Sequence, residues 1–300
     1  MSTPRRVFIV GCPRSGTTLL WALLSAHPQV LGLLETQYFA YLVGQRRERL
    51  RRKSKRNISR SIRSIFSPLR IAMGIAYRHA KGPQELLRQI AEDADRADLA
   101  ENLRPRFFWI RDSIEQFLRT VDTITRDAGK TVWLEKSPAH LFYVDEIERY
   151  VDDALFIHLV REGQHTVASL YDAGQKFEAP GWHKFTDIDC AIDEWNASVR
   201  MSRTLLSRPN HMLVRYEDLV SQPEAALTRL CDAMGVEFEP GMIDQRQQRL
   251  SGVSSDHQAA QPINVRNKFD SLFTPEQQAH IKQRITPLEP EIFGAMVEHA

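Results

Sequence analysis

Cysteine is scarce in this chain: three residues in 300, Cys12, Cys190 and Cys231, widely spaced, odd in number and forming no CxxC pair. That usage argues against a disulfide framework and against a cysteine zinc site, and nothing else in the sequence calls for a metal. Long apolar runs are also missing. No stretch approaches the roughly eighteen uninterrupted apolar residues that a membrane-spanning helix needs. The strand-like "VFIV" at Val7–Val10 comes too early for a separate signal peptide. A reducing, cytoplasmic location is therefore expected. Net charge is nearly absent, 40 Lys and Arg against 38 Asp and Glu giving +2, so the chain is not built as a general polyanion binder and nucleic acid is not an expected partner.

What is present is an alternation. Short apolar runs occur at Val7–Val10, "VLGLL" at 30–34, "TVWLE" at 131–135, "ALFIHLV" at 154–160 and "HMLVRY" at 211–216. Between them lie stretches of helical spacing such as "TTLLWALLSAH", "HLFYVDEIERY" and "AIDEWNASVRMSRTLL". Strands alternating with helices predict an α/β fold, a three-layer parallel sheet with helices on both faces. Ligands of such sheets gather beyond the carboxyl ends of the strands, and here those ends deliver Arg14 and Ser15, Glu35, Lys136 and Arg161.

Residues 1–300 are read as one domain, with 42% apolar content sufficient for a single sizeable core. A basic helical insertion or lid is expected at about 44–127. Residues 46–70 hold eleven Lys or Arg against the single acid Glu48, with Ile58, Ile62, Ile65, Phe66 and Leu69 at helical spacing. Three readings stay open for this stretch: a solvated helix, a peripheral contact with anionic membrane, or a cradle for an acidic acceptor.

The segment "GCPRSGTTLL" at 11–20 has the strand, glycine-rich turn and helix start of a phosphate loop, a P-loop-like nucleotide-binding arrangement. Its lysine is missing. Thr17 stands where the ATPase loop places lysine after the second glycine, and the cation has moved forward to Arg14. A metal-bound triphosphate would lose a main partner, whereas the planar guanidinium suits a tetrahedral oxyanion.

"PRSGTTLL" resembles the 5′-phosphosulfate loop of sulfotransferases that use 3′-phosphoadenosine 5′-phosphosulfate (PAPS). "LVREGQHTVASL" is similar to that family's 3′-phosphate segment, with Arg161 and Ser169 eight residues apart; Glu162 and Gly163 replace the usual acidic-proline pair. "WLEKSP" resembles the stretch that carries a lysine near the transferred group, and "VRYEDLVSQPEAAL" resembles the "YEDL" element. The style of these motifs is that of the tyrosylprotein, carbohydrate and bacterial branches.

The resemblance implies PAPS as co-substrate, without a metal, and a hydroxyl acceptor on a carbohydrate, lipid or peptide. It implies Glu35 as the base, Lys136 as the cation that stabilises the leaving group, and Arg14, Ser15, Gly16, Thr17 and Thr18 around the 5′ end. Arg161 and Ser169, joined by Arg266 and Lys268, would hold the 3′-phosphate. Two other functions remain open: a P-loop nucleotide-dependent kinase that uses Arg14 in place of lysine, and a non-catalytic polyanion-binding protein. Glu35 also fits a helix-start carboxylate. His140, His158 and His165 lack ligand spacing and are expected to be packed or surface residues. Tyr216, Glu217 and Asp218 are expected to be structural, and Trp109, Trp133 and Trp195 to lie in the core.

Overall fold

Neighbouring residues of β1 (Arg5–Gly11) enter opposite cores, Val7 and Ile9 one cluster, Phe8 and Val10 another. A strand buried on both faces is mostly apolar along its length, which is why "VFIV" reads as a continuous run rather than an alternation. In the computed structural model, which describes residues 2–43, 82–103, 109–178, 181–245 and 268–293, β1 is the centre of a five-stranded sheet. The others are β2 (Val30–Leu34), β3 (Val132–Lys136), β4 (Leu155–Val160) and β5 (His211–Arg215). All pairings are parallel, in the order β2-β3-β1-β4-β5. The chain leaves β1 for one flank, then crosses to the other between β3 and β4, so β1 and its neighbours form the switch point where an open α/β sheet binds ligands.

Among the described residues, α1 (Thr17–Ser25) joins β1 to β2, and α2 (Tyr38–Val43), α3 (Gly82–Asp93), α4 (Ala97–Glu101) and α5 (Ile110–Asp127) lie between β2 and β3. Then α6 (Val144–Tyr150) precedes β4, while α7 (Gly163–Lys176) and α8 (Ile188–Leu205) precede β5. After β5 come α9 (Tyr216–Ser221), α10 (Pro223–Met234) and α11 (Lys268–Leu272). Helices α1 and α10 cover one face, and α2, α5 and α6 the other. The basic stretch at 46–70 falls outside the described residues.

Helix α5 shows how a layer is fixed. Its Ile110, Ile114, Phe117 and Val121 make one buried stripe. On the same helix Asp122 accepts from Arg6 Nη2 of β1 and from Trp133 Nε1 of β3, both at 2.8 Å. Removing a buried, hydrogen-bonded partner of this kind typically costs about 3–5 kcal/mol, because the opposite charge is left stranded. Trp133 and Trp195 are buried as expected. Trp109 is not: 46% of it is exposed, because it precedes α5 on extended backbone (φ −98°, ψ 140°), where helical spacing no longer places a side chain on the apolar stripe.

The far end of the sheet holds a histidine chain. Glu148 can only accept, so His211 Nε2 donates to it (3.0 Å); His211 Nδ1 then accepts from His158 Nε2 (2.8 Å), and His158 Nδ1 accepts from Ser202 Oγ (3.1 Å). This pattern takes both rings as neutral, the form that burial favours in each. Burial, with the neighbouring His211 adding to it, pushes His158 down to about 3 from its ordinary 6.5. The folded state therefore binds fewer protons than the unfolded chain between those values. Stability from this group is full above about pH 6.5 and falls by up to about 1.4 kcal/mol per pH unit as the solution is acidified towards pH 3. Urea unfolding at pH 7 and pH 5 should show this loss, and His158→Asn should flatten it; an unchanged slope in the variant would assign the loss elsewhere.

Candidate active site

At the end of β1 the backbone turns sharply, with Arg14 at φ 68° and Gly16 at φ 103°. Ser15 closes the turn on itself: its hydroxyl and its backbone N–H both donate to the Cys12 carbonyl, at 2.7 and 3.3 Å. Helix α1 then starts at Thr17 with Gly16 at its cap and no side chain capping it. The start of this nine-residue helix carries uncapped N–H groups and the positive end of the dipole, the standard setting for an anion. Glycine is required at position 16. A Cβ there would sit 2.4 Å from the Tyr216 ring, and the Arg161 guanidinium lies over that same ring, 4.4 Å from its centroid.

The ends of β2 and β3 supply the second half. Lys136 is fully buried, and its Nζ reaches Glu35 Oε1 at 2.5 Å and Thr18 Oγ1 at 3.2 Å. Burial pulls the ammonium below its ordinary range, Glu35 and Glu135 pull it back up, and Arg14 adds to the depression. The lysine absent from the loop is in effect delivered to the loop's second threonine by a neighbouring strand. The Glu35 side chain keeps 32% exposure, so a hydroxyl can approach it.

Arg14 closes the cleft towards α7. Its Nε lies 3.4 Å from Ser169 Oγ, and its guanidinium lies 5.7 Å from the Phe177 ring centroid. Arg161 leaves β4 immediately before α7, and burial lowers its pKa, with Tyr216, Glu217 and Glu162 opposing. Three residues after Ser169, Asp172 holds Lys268 at 2.6 Å and Lys176 at 2.8 Å. Lys268 thus reaches the α7 face but is carboxylate-bound; Arg266 lies outside the described residues.

Glu135 and Phe177, to which no motif assigns a role, also build this site. Glu135, in the fully buried strand "VWLEK", accepts from Thr36 N (3.1 Å), Thr36 Oγ1 (2.8 Å), Ser137 Oγ (2.5 Å) and His140 Nδ1 (2.9 Å). A carboxylate inside a strand buried on both faces was the available signal, since such a group must find donors. Phe177, beside Arg14, carried none. His140 is packed as expected, and its Nδ1 also serves Glu135. Tyr216 is structural as expected, and it forms the back of the loop.

The sulfotransferase family model matches residues 4–240. The chain belongs to the sulfotransferase family. Protein-tyrosine sulfotransferase A of Caenorhabditis elegans is 23% identical over 273 residues, covering 86% of this chain and 59% of the worm protein. Protein-tyrosine sulfotransferase 1 of Danio rerio is 24% identical over 270 residues, covering 86% and 63%. The chain thus spans under two thirds of the length of these relatives. Among solved structures, the sulfotransferase domain from the curacin biosynthetic pathway superposes with a TM-score of 0.59 at 18% identity, covering 94% of this chain and 98% of the domain. That from the Synechococcus PCC 7002 olefin synthase gives 0.58 at 21%, covering 94% and 95%. At such identities these two structures share the fold.

The relatives overturn the expected cytoplasmic location. They are animal protein-tyrosine sulfotransferases whose chains run well beyond the matched part, so the few residues before Val7 cannot carry an argument about compartment. Among the described residues no helix is long and apolar enough to cross a membrane.

Gly16→Ala tests whether the packed ring of Tyr216 dictates the loop. Strain at φ 103° and the clash should together lower stability by about 1–3 kcal/mol, and a second change, Tyr216→Ala, should recover part of the loss in thermal unfolding. A Gly16→Ala protein as stable as the parent would remove the constraint.

Proposed function

We propose that this sulfotransferase moves a sulfuryl group from PAPS to an acceptor hydroxyl, on a carbohydrate, lipid or peptide, by in-line displacement. One observation carries the reading: a buried lysine bridges the carboxylate at the end of β2 and a threonine at the head of the anion-binding helix. That arrangement supports Glu35 as a base and Lys136 as a cation acting beside the position where the loop and helix would hold a phosphosulfate.

Glu35 accepts the acceptor's hydroxyl proton while the new oxygen–sulfur bond forms. The bond from sulfur to the bridging oxygen breaks, and that oxygen keeps the electron pair. Lys136 stabilises the charge that develops there, and Arg14 faces the sulfuryl oxygens. Catalysis of this kind is mostly positioning and charge stabilisation, as in phosphoryl transfer through a loose transition state. The loop backbone from Ser15 to Thr17 and the Thr18 hydroxyl hold the 5′ end. Arg161 and Ser169 would bind the 3′-phosphate, with Arg266 in support; Lys268 would join them only by sharing or leaving Asp172. Each charge-assisted contact supplies about 1.5–3 kcal/mol, so several are needed to prefer PAPS to ATP. The segment at about 44–127 is taken as the acceptor-facing part.

Ligand-induced stabilisation separates this reading from a kinase. Adenosine 3′,5′-bisphosphate at a hundred times its dissociation constant should stabilise the protein by about 2.7 kcal/mol, and ATP with magnesium should do much less; the reverse order would overturn the proposal. With labelled PAPS, Glu35→Gln and Lys136→Ala should each lower transfer at least about a hundredfold while bisphosphate binding persists.

A further inference from the structure

Two residues of the turn that carries Glu35 are held in left-handed backbone, Glu35 itself at φ 47° and Gln37 at φ 50°. Neither is glycine, so each is strained, and such strain persists only where surrounding structure over-determines it. The source of that restraint can be followed one amide at a time. Glu35 N donates to the Lys136 carbonyl at 2.7 Å. Thr36 N donates directly to Glu135 Oε1. Gln37 N donates to Ser137 Oγ at 2.9 Å and Tyr38 N to Thr36 Oγ1 at 3.3 Å. Those amides can only donate, so the two hydroxyls accept from them and must pass their own protons onward. Both pass them to Glu135 Oε1.

Three of four consecutive amides therefore end, directly or through one hydroxyl, on a single buried carboxylate oxygen. The fourth ends on the residue next to it. The other oxygen, Oε2, takes His140 Nδ1. Burial drives the Glu135 carboxyl up, but His140, Ser137 and Thr36 outweigh it, and the group stays below its ordinary range, as an acceptor of four donors should. Past the turn, Tyr38 is anchored in turn by its hydroxyl, 2.7 Å from Ser113 of α5.

We propose that Glu135 is a positioning residue: acting through Thr36 and Ser137, its carboxylate fixes the strained turn that aims Glu35 at the acceptor hydroxyl. This rests on the reading of Glu35 as the base. Among the described residues, the hydrogen bonds of the Glu135 side chain go to Thr36, Ser137 and His140 rather than to Glu35 or the anion-binding loop. It works by setting the backbone from which Glu35 projects, and a displacement of about 1 Å at a reacting group can lower a rate about a hundredfold.

Glu135→Ala would leave buried donors stranded and risks unfolding, so the decisive variants lie one step out. Thr36→Val keeps the shape and removes the hydroxyl; Thr36→Ser restores it. Transfer of labelled sulfuryl from PAPS is measured to a tyrosyl peptide, with slow transfer to water followed in the same tubes. Thr36→Val should lower kcat about tenfold to a hundredfold, with little change in the KM for PAPS or in stabilisation by adenosine 3′,5′-bisphosphate, and Thr36→Ser should recover most of the loss. In a Glu35→Gln background, Thr36→Val should add almost nothing, because the group it positions is already gone. A full additional loss in that background, or a Thr36→Val enzyme as fast as the parent, overturns the positioning role. A parent no faster than Glu35→Gln would instead overturn the base assignment on which it rests.

Discussion

A carboxylate removed from water is tolerated only if donors satisfy both of its oxygens, and the penalty otherwise runs to several kcal/mol. Glu135 imposes that demand at the carboxyl end of β3, as the strand's penultimate residue. Thr36, Ser137 and His140 meet it, and in meeting it they draw the end of β2 against the end of β3. The register of the two strands, Leu34 opposite Lys136, continues directly into the bond from Glu35 N to the Lys136 carbonyl. The Glu35–Lys136 pair therefore extends a parallel ladder, and its geometry inherits the rigidity of the sheet.

The loop on β1 follows the same logic with different chemistry. Here the left-handed residues are Arg14, which is strained, and Gly16, which is not, and the restraint comes from packing: Tyr216 lies against Gly16, and Arg161 lies against Tyr216. Ser15 satisfies the interior of the turn with its own hydroxyl. Two separate turns with left-handed residues, one after β1 and one after β2, thus lie at the carboxyl end of the same sheet, each held by the side chains around it. A site built this way is organised before anything binds, which is what electrostatic stabilisation of a charge-dispersed transition state requires.

Most of the frame was legible in the sequence because it depends on local pattern. All five strands were marked by short apolar runs, and the polar residues just beyond them, Arg14, Glu35, Lys136 and Arg161, lie at the strand ends that a parallel sheet presents together. What escaped depends on pairing across the sheet. Glu135 and Thr36 are 99 residues apart, and no periodicity links them. Tyr216 was legible as structural, but not as the wall behind Gly16. Trp109 looked like a core residue because its neighbours are apolar; one residue before α5, however, helical phase has no hold on it. The compartment was read from the start of the chain, which is the kind of negative observation that longer relatives undo.

The missing loop lysine is the point at which local and non-local readings join. In a triphosphate loop the ammonium projects from the first turn of the helix and travels with it. Here it comes from β3, reaches Thr18 at 3.2 Å, and is held on its other side by Glu35. An ammonium anchored to the sheet and paired with a carboxylate is partly neutralised, and with burial pulling its pKa down it is a poorer partner for several phosphates at once. It is better matched to one oxygen that becomes negative only as the reaction proceeds. If Glu35 takes the acceptor's proton, its own negative charge disappears at the same moment, and Lys136 loses its partner just as the bridging oxygen gains charge. On the proposed roles, the lysine's attraction would thereby pass from the carboxylate to the leaving oxygen, without its side chain leaving the buried position between Thr18 and the end of β2. A lysine carried on the loop, with no carboxylate beside it, would lack this coupling between proton transfer and departure.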